Sequence, residues 1–314
     1  MSRLDACLEL MAAGDVDVML LGREANARTV SDAARLWLAG TRVFSPGCVV
    51  VRRTAEVHVL SNTDAVMPAG FPVTQLYGVT WNPEKLFASL GAIAGVRDAR
   101  RVAVDGMNVG ANALVARLAP GAEIVDAQSI FGALWATPSP EQAAGVEAAT
   151  AVARAGLEAM RDALEPGVTP RILRGACAIA FAARGVTTPD YEAVAAPIAE
   201  GASTWLPPER TLEPGERIVL RAGALLDGWE GSVARTFVVG TPSTEHLAPG
   251  GWDALVAACR AGATAGELRA HGATVVGAGR GVEPWPDDLV LAPGHTVSIE
   301  LRDTASLRQD VVRV

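Results

Sequence analysis

The segment from Gly215 to Gly240, GERIVLRAGALLDGWEGSVARTFVVG, constrains the fold more than any other part of the chain. Two runs rich in apolar and β-branched residues, IVLRAG and VARTFVV, flank a glycine-rich turn around Asp227, and this pattern predicts a β-hairpin. Each predicted strand carries an arginine, Arg221 and Arg235, although buried strands normally carry apolar residues. A charge held within a sheet usually has a partner or a functional role, and which of these applies depends on the rest of the chain.

The length of 314 residues predicts two domains or one large domain, and 50% hydrophobic residues are enough for a proper core. No apolar run approaches the roughly 18 residues that a membrane-spanning helix needs. The first residues, MSRLDACLELMAAG, predict an amphipathic helix rather than a signal peptide, because Asp5 and Glu9 interrupt the apolar pattern. We therefore expect a cytoplasmic protein with no membrane contact.

The charge distribution excludes several classes of function. A net charge of -8 and the absence of a basic cluster argue against nucleic-acid binding. Lys85 is the single lysine, so the chain has no GxxxxGK[ST] phosphate loop, and lysine chemistry could fall only on this residue, which we expect to be solvated. The cysteines form no CxxC pair and are predicted to be buried or reduced thiols rather than zinc ligands: Cys7, Cys48, Cys177 and Cys259.

The first part of the chain alternates between helical and strand patterns, which favours an α/β layered domain. The predicted elements are a helix to Gly14, the strands VDVMLL, CVVVRR and VHVLS, a helix from Pro83 to about Ile93, the strand RVAVD, a helix around Ala111 to Leu118, the strand EIVDA, and a helix from about Gln128 to Trp135.

The sequence Thr137-Pro138-Ser139-Pro140 predicts a domain boundary, with domains at 1–137 and 138–314. Ser139 as N-cap, Pro140 at the first helical position and Gln142 three residues after the cap form a capping-box pattern. The helix that starts there is expected to run to about Leu164, and a second helix to run from Pro170 to near Gly185.

The remainder alternates between strands and short helices. The strands are YEAVAAPI, the hairpin, HTVSIEL and DVVRV, and two helices are predicted around Trp252 to Cys259 and Ala265 to Ala270. Two helices followed by strands, twice over, suggest an internally duplicated α+β domain around a curved antiparallel sheet. We identify no repeat in the sequence that proves the duplication.

Several segments resemble one protein family in their amino-acid sequence and in their order along the chain. They are NARTVSDAARLWLAG, VHVLSNTD, SPEQAAGVEAATAVARAGLEAM, the hairpin preceded by LEP, LAPGHTVSIEL and RQDVVRV. They are similar to the creatinase, prolidase and aminopeptidase P family, and the resemblance covers nearly the whole chain. It implies an α/β N-terminal domain, a C-terminal pita-bread domain of the α+β class, and a homodimer.

Metallopeptidases of that family use two Asp, one His and two Glu to hold two divalent metal ions that activate water. The resemblance places these ligand positions at Arg221, Ser232, Ala278, Glu300 and Gln309. Only Glu300 retains a ligand side chain, and a dinuclear site needs several carboxylates. We therefore expect no metal, no other cofactor and no standard dinuclear peptidase mechanism.

An arginine at a metal-ligand position can pair with the remaining carboxylate, so we predict an ion pair between Arg221 and Glu300 across adjacent strands. Two interpretations remain open. The pair preserves the fold alone, or it forms the catalytic or ligand-binding centre, in which Arg221 with Arg280 or Arg302 binds a carboxylate while Glu300 orients the ligand. Strand alternation places Arg302 on the same face as Glu300.

Other residues are candidates for ligand contact. Ser232 and Gln309 occupy ligand positions with neutral polar side chains, while Trp205 and Trp229 are predicted in loops as aromatic walls or as core packing. Arg35 and Arg42 lie where members of the family reach across a dimer into the partner's site, and they are also ordinary as surface residues.

Creatinase, within the same family, hydrolyses a C–N bond without metal, and such chemistry needs a general base with a pKa of about 7. No histidine matches the family's substrate histidine, and the parity of His295 places it opposite Glu300. The function expected is binding of a small carboxylate-bearing or amino-acid-like ligand without metal, with C–N hydrolase or lyase activity if the protein is active. The alternative is an inactive pseudopeptidase with a binding or scaffolding role.

Overall fold

A computed structural model of the chain describes residues 2–34, 46–106, 109–187, 189–199, 202–203, 209–241 and 247–314. The chain divides into two compact units, the N-terminal unit Met1–Leu134 and the C-terminal unit Trp135–Val314. No helix in the described ranges has both the length and the apolar composition needed to cross a membrane.

The N-terminal unit contains a mixed six-stranded sheet in the order β4-β3-β2-β1-β5-β6. The predicted strands and helices are present, and α2 and β4 are additions that the sequence pattern did not predict. In chain order the elements are α1 (Arg3–Ala13), β1 (Val18–Leu21), α2 (Glu24–Ser31), β2 (Cys48–Val51), β3 (Glu56–Leu60), a 3₁₀ turn (Val73–Gln75), β4 (Leu76–Tyr77), α3 (Pro83–Ala92), β5 (Arg101–Asp105), α4 (Val109–Leu118), β6 (Glu123–Asp126) and α5 (Gln128–Trp135).

Helix α2 is held by a tertiary contact rather than by an apolar stripe. Asp105, at the end of β5, accepts hydrogen bonds from the backbone N–H groups of Gly22 (2.6 Å) and Arg23 (3.0 Å), and from the side chain of Asn26 (2.6 Å). These bonds satisfy donors at the start of the helix that have no partner within it. Burial raises the pKa of Asp105, while the same hydrogen bonds lower it. The stabilising residue lies some 80 positions along the chain, so the local sequence of α2 gave no signal.

The C-terminal unit is built on an eight-stranded antiparallel sheet in the order β12-β11-β13-β14-β10-β9-β7-β8. Its elements are α6 (Pro140–Asp162), α7 (Pro170–Ala182), β7 (Pro189–Ala199), β8 (Ala202–Ser203), β9 (Arg217–Leu226), β10 (Trp229–Val238), α8 (Trp252–Ala258), α9 (Ala265–Arg269), β11 (Thr274–Ala278), β12 (Val282–Pro284), β13 (Thr296–Arg302) and β14 (Leu307–Arg313). The start of α6 confirms Ser139 as N-cap, since its side chain accepts a hydrogen bond from the backbone N–H of Gln142.

The predicted hairpin is confirmed as β9 and β10. Leu226 pairs with Trp229, and the two residues between them, Asp227 (φ 48°) and Gly228 (φ 83°), both adopt positive φ. An Asp-Gly pair is favoured in such a two-residue turn because glycine has no Cβ and aspartate tolerates the left-handed region. The turn fixes the register of all ten residue pairs along the hairpin.

The C-terminal unit is internally duplicated, as the element pattern suggested. Each half of the sheet contributes four consecutive strands, β7 to β10 and β11 to β14. In both halves the second strand lies at the outer edge and is followed toward the centre by the first, the third and the fourth, which gives β8-β7-β9-β10 and β12-β11-β13-β14. With the strand order known, a short sequence repeat that accompanies the duplication can be recognised. The motif L-x-P-G occurs at Leu212 before β9 and at Leu291 before β13, and the glycine of each motif has positive φ (Gly215 83°, Gly294 95°), as a proline-glycine turn requires.

The central sheet has two different faces. The helix face is apolar: α6 and α7 pack on residues such as Leu220 and Phe237, and α8 and α9 pack on residues such as Ile299 and Leu301. The opposite face, which we call the site face, carries Arg221, Ser232, Ser298, Glu300, Arg302 and Gln309. Directly opposed residues in an antiparallel pair point to the same face, so the register assigns these residues together.

The cysteine prediction is confirmed within the described residues. All four are free and buried. Burial raises the pKa of Cys7 to about 12 and the pKa of Cys177 and Cys259 to about 11. Thiols with such pKa values are protonated at neutral pH and therefore poor nucleophiles and metal ligands.

Candidate functional site

The centre of the site face is one row of residues that crosses four strands. Arg221 pairs with Ala234, Ala234 with Gln309, and Gln309 with Glu300. At the two ends of the row, the Nη2 atom of Arg221 donates to Oε2 of Glu300 at 2.5 Å. The predicted ion pair between the two residues is therefore confirmed.

The expectation that the pair joins adjacent strands was wrong, because β10 and β14 lie between β9 and β13. The row explains how the two side chains still meet. Ala234, in the middle, is small and fully buried, so the long Arg221 side chain can pass over β10. The two residues also occupy equivalent positions in the duplicated halves, nine residues after Leu212 and Leu291. The ion pair thus links one half of the unit to the other.

Ser232 and Gln309 join the same cluster. Nε2 of Gln309 donates to Oγ of Ser232 at 2.9 Å and to Oγ of Ser298 at 3.1 Å. Gln309 is buried, and its Oε1 atom has no hydrogen-bond partner within the described ranges. Whichever way a carboxamide is oriented, one of its ends here is bonded to two serines and the other is not. A buried polar end without a partner is unfavourable, so a hydrogen-bonding group bound beside it would stabilise it.

Arg302 lies two residues beyond Glu300 on the same strand, and its position opposite Leu307 places it on the site face. It is half-buried, and two of its guanidinium nitrogens, Nε and Nη2, are buried without a hydrogen-bond partner among the described residues. A guanidinium with desolvated, unbonded donors costs free energy unless an acceptor arrives. Arg302 is therefore the strongest mark of an anion-binding position on this face.

Trp229 and Arg280 form a packed pair. The guanidinium carbon of Arg280 lies 4.4 Å from the centroid of the Trp229 ring, a cation–π contact, and Arg280 is only 4% exposed. Trp229 was predicted in a loop, but it is the first residue of β10 and packs against α6 at Gly145. Of the two interpretations of Trp229, core packing is the one that these contacts support.

Three of the candidate residues, Arg35, Arg42 and Trp205, lie outside the described residues. Their contact with a ligand stays a prediction, as does the homodimer in which Arg35 and Arg42 would reach a second site.

The histidine prediction is confirmed for His295. It is buried against Trp285, with ring centroids 5.0 Å apart, in the apolar cluster of the helix face. Its Nδ1 accepts from the backbone N–H of Ala292 and its Nε2 lies 2.9 Å from the carbonyl oxygen of Ala136. Of the other histidines that the structure describes, His58 lies in the N-terminal unit on β3 and His271 is exposed after α9.

The residues of the row do not fit a pair of divalent metal ions. Among the residues that the structure describes, no group of three or more His, Cys, Asp or Glu side chains could hold a metal ion. Arg221, Ser232 and Gln309 offer a cation and two neutral groups, and Glu300 is hydrogen-bonded to the cation. Divalent ions of this kind need several oxygen donors, most of them carboxylates.

The duplicated antiparallel sheet with helices on one face defines a protein of the pita-bread class. A family model described as metallopeptidase family M24 matches residues 144–310, more than half of the chain. The chain therefore belongs to metallopeptidase family M24. No curated protein sequence matches it.

Solved structures resemble the chain over nearly its full length. The prolidase from Pyrococcus horikoshii OT3 is 15% identical with a TM-score of 0.74, covering 99% of this chain and 95% of that one. The Xaa-Pro dipeptidase from Bacillus anthracis is 15% identical with a TM-score of 0.69 and coverage of 99% and 94%. The X-Pro aminopeptidase from Thermotoga maritima MSB8 is 13% identical with a TM-score of 0.69 and coverage of 100% and 95%. At these identities the likeness shows the fold alone.

The sequence contained a signal that would have located the row earlier. Aligning the two L-x-P-G motifs sets Arg221 directly against Glu300, 79 residues apart. In a duplicated sheet, equivalent positions near the internal symmetry axis lie close together. The repeat would thus have indicated that the two residues meet across the centre rather than on neighbouring strands.

Proposed function

We propose that the protein is a metal-independent member of family M24 whose site face binds a small carboxylate-bearing or amino-acid-like ligand. The observation that carries the proposal is Arg302, whose Nε and Nη2 atoms are buried and have no hydrogen-bond partner in the part of the chain that the structure describes. An arginine fork binds a carboxylate through two parallel hydrogen bonds, so a ligand carboxylate supplies what these donors lack.

Gln309 and Glu300 would bind the polar groups of the ligand other than its carboxylate. Residues diagonally opposed across an antiparallel pair, as Arg302 and Gln309 are, lie roughly 7 to 8 Å apart, which is the length of a small amino-acid derivative. The free end of the Gln309 carboxamide would bond a polar group of the ligand. Only Oε2 of Glu300 is hydrogen-bonded within the described residues, so Oε1 can accept from a ligand amine.

The family resemblance supports the same chemical class. One structural neighbour is named as an Xaa-Pro dipeptidase, and a dipeptide carries both a carboxylate and an amine. Arg221 would act as a positioning residue, since its bond to Glu300 fixes that carboxylate beside the ligand. In place of two metal ions, this chain would use two arginines and one glutamate to hold a ligand of similar shape.

Cleavage of a C–N bond is the second candidate function. The observation that favours it is the carboxylate of Glu300, whose Oε1 is available as a base toward a bound ligand. Against it, of the histidines described in the C-terminal unit, His295 is buried on the helix face and His271 is exposed after α9. Binding without turnover is therefore the function that the geometry supports best.

The ligand prediction is tested by thermal unfolding of the purified protein with amino acids, guanidino acids and Xaa-Pro dipeptides. A ligand at about 100 times its Kd should stabilise the protein by about 2.7 kcal/mol. In Arg302→Gln the affinity should fall roughly tenfold or more, because a charged hydrogen-bonded contact is lost. The matched control is Arg217→Gln, an exposed arginine on β9, which should retain the response. Equal stabilisation of both variants would contradict the role of Arg302, and no response across the panel would favour a pseudopeptidase without this ligand.

Metal independence is tested separately by elemental analysis after dialysis against Mn²⁺, Co²⁺ or Zn²⁺. We expect well under one equivalent of metal per chain, because one carboxylate paired with an arginine is too few donors for a tight site. Stoichiometric metal that is lost in Glu300→Gln would contradict the proposal. Metal that is retained in Glu300→Gln would point to binding elsewhere on the chain and leave the site-face proposal intact.

A further inference from the structure

The helix face carries a second charged cluster at the junction of the two halves. Nη2 of Arg235 donates to Oδ2 of Asp310 at 2.5 Å, and its Nη1 donates to the carbonyl oxygens of Ala234 (2.8 Å) and Gln309 (2.6 Å). This pair joins β10 to β14, directly behind the row of the site face. Arg235, the second arginine of the hairpin, therefore has a partner, but it is not the only cation that Asp310 attracts.

Two more arginines approach the same carboxylate. Nη2 of Arg154, on α6, lies 3.4 Å from Oδ1 of Asp310, and Nη2 of Arg308, on β14, lies 3.7 Å from Oδ2. In the described part of the chain, no further carboxylate lies within ion-pair distance of these three guanidinium groups. Three cations around one anion leave a formal charge of +2, in a protein whose net charge is -8.

Arg308 is held in place rather than free to move away. Its guanidinium carbon lies 4.5 Å from the centroid of the Trp252 ring on α8, and its Nε atom is buried with no hydrogen-bond partner among the residues that the structure describes. A cation stacked on an indole is oriented by the ring, and a buried donor without an acceptor is unfavourable. The cluster therefore contains a fixed donor that lacks an acceptor.

The cluster opens to solvent on one side. The Arg154 side chain is 51% exposed, while those of Arg235, Arg308 and Asp310 are 14%, 22% and 13% exposed. Burial lowers the pKa of Arg235, Asp310 raises it, and Arg308 and Arg154 lower it again. The neighbouring arginines thus lower the pKa of the buried Arg235, and Arg154 is the member of the cluster that is most exposed to solvent.

We propose that this arginine cluster, Arg154, Arg235 and Arg308 around Asp310, is a binding site for a small doubly charged oxyanion of the phosphate class. A phosphate group carries about -1.5 to -2 charges at neutral pH and has three strong acceptor oxygens, which match the formal +2 of the cluster and its unbonded donor. A single carboxylate would neutralise only half of that charge. The site lies on the helix face, so it is separate from the ligand site proposed on the opposite face of the sheet.

The proposal is tested by thermal unfolding and calorimetric titration of the full chain with inorganic phosphate, sulfate, acetate and chloride at matched ionic strength. We expect saturable stabilisation by phosphate and sulfate that exceeds the effect of acetate and chloride. A phosphomonoester such as phosphoserine forms a second arm, and tighter binding than inorganic phosphate would identify an esterified ligand. Identical effects of all four anions would mean general screening by salt and would overturn the proposal.

Variants assign any binding to the cluster. Arg154→Gln should weaken phosphate binding roughly tenfold, since one charged contact is lost, while folding is unaffected because the side chain is largely exposed. The control is Arg161→Gln on the same helix, whose side chain bonds only the neighbouring Asp162 among the described residues. Arg308→Lys keeps the charge but loses the Nε donor, so it should also weaken binding. Equal affinity in Arg154→Gln and Arg161→Gln would place the anion elsewhere.

Discussion

Gly231→Ala is expected to lower the free energy of unfolding of the C-terminal unit by about 3 kcal/mol. Gly231 lies on the helix face of β10, and a Cβ atom there would overlap the backbone nitrogen of Thr150 and lie 2.6 Å from its Cα atom. The obstacle is the main chain of α6, which cannot rotate away as a side chain can. The helix would have to move off the sheet.

Helix α6 has little freedom to make that movement. Its Ser139 side chain caps the first turn, and the side chain of Gln142 donates to the carbonyl oxygen of Ala278 at 2.9 Å. Gly145, one turn further on, packs against the Trp229 ring. The added methyl group is therefore expected to lower the stability of the C-terminal unit, because α6 cannot relieve the overlap by a small displacement.

The measurement is urea unfolding followed by tryptophan fluorescence, with Gly175→Ala as the matched control. Gly175 is an exposed residue inside α7, and a Cβ atom there would meet nothing within 4 Å. Alanine at such a helical position should stabilise by about 0.5 to 1 kcal/mol. If Gly231→Ala unfolded at the same urea concentration as the wild type, the close approach of α6 to β10 would be wrong.

Arg221→Met is expected to destabilise the C-terminal unit by about 2 kcal/mol, because it leaves Glu300 partly buried without its partner. The value is below that of a fully buried pair, since 27% of the Arg221 side chain and 26% of the Glu300 side chain remain exposed. Glu300→Gln should be costly for the corresponding reason. The double variant should be less destabilised than the sum of the two, with a coupling of about 1 to 2 kcal/mol.

The experiment is a double-mutant cycle from urea unfolding, with Arg217→Met on the same strand as the control that should change little. Strictly additive effects of the two substitutions would show that the pair contributes no stability. The cycle also separates the two interpretations of the pair. If Arg221→Met loses stability but retains ligand binding, the pair serves the fold; if binding falls as well, Arg221 positions Glu300 for the ligand.

Secondary structure with a strong local signal could be predicted from the sequence. The Asp-Gly turn predicted the hairpin because few residues adopt positive φ, and Ser139-Pro140 predicted the start of α6 because a cap and a proline fit only the first turn of a helix. Helix α2 was not predicted because its stabilising contacts come from Asp105 on β5. Local propensity cannot register a hydrogen bond that is supplied by another strand.

The sequence by itself indicated the family and the strand alternation that places Glu300 and Arg302 on one face, and it predicted few metal-ligating side chains at the positions that the family uses. Only the tertiary structure decided which partners these residues have. In it, Arg221 reaches across two strands to Glu300, and Arg154, Arg235 and Arg308 surround Asp310. Among the described residues, Nε and Nη2 of Arg302 have no acceptor. The reason is physical: alternation along a strand fixes the face of each side chain, whereas its contacts depend on strand order and on the space above small residues such as Ala234.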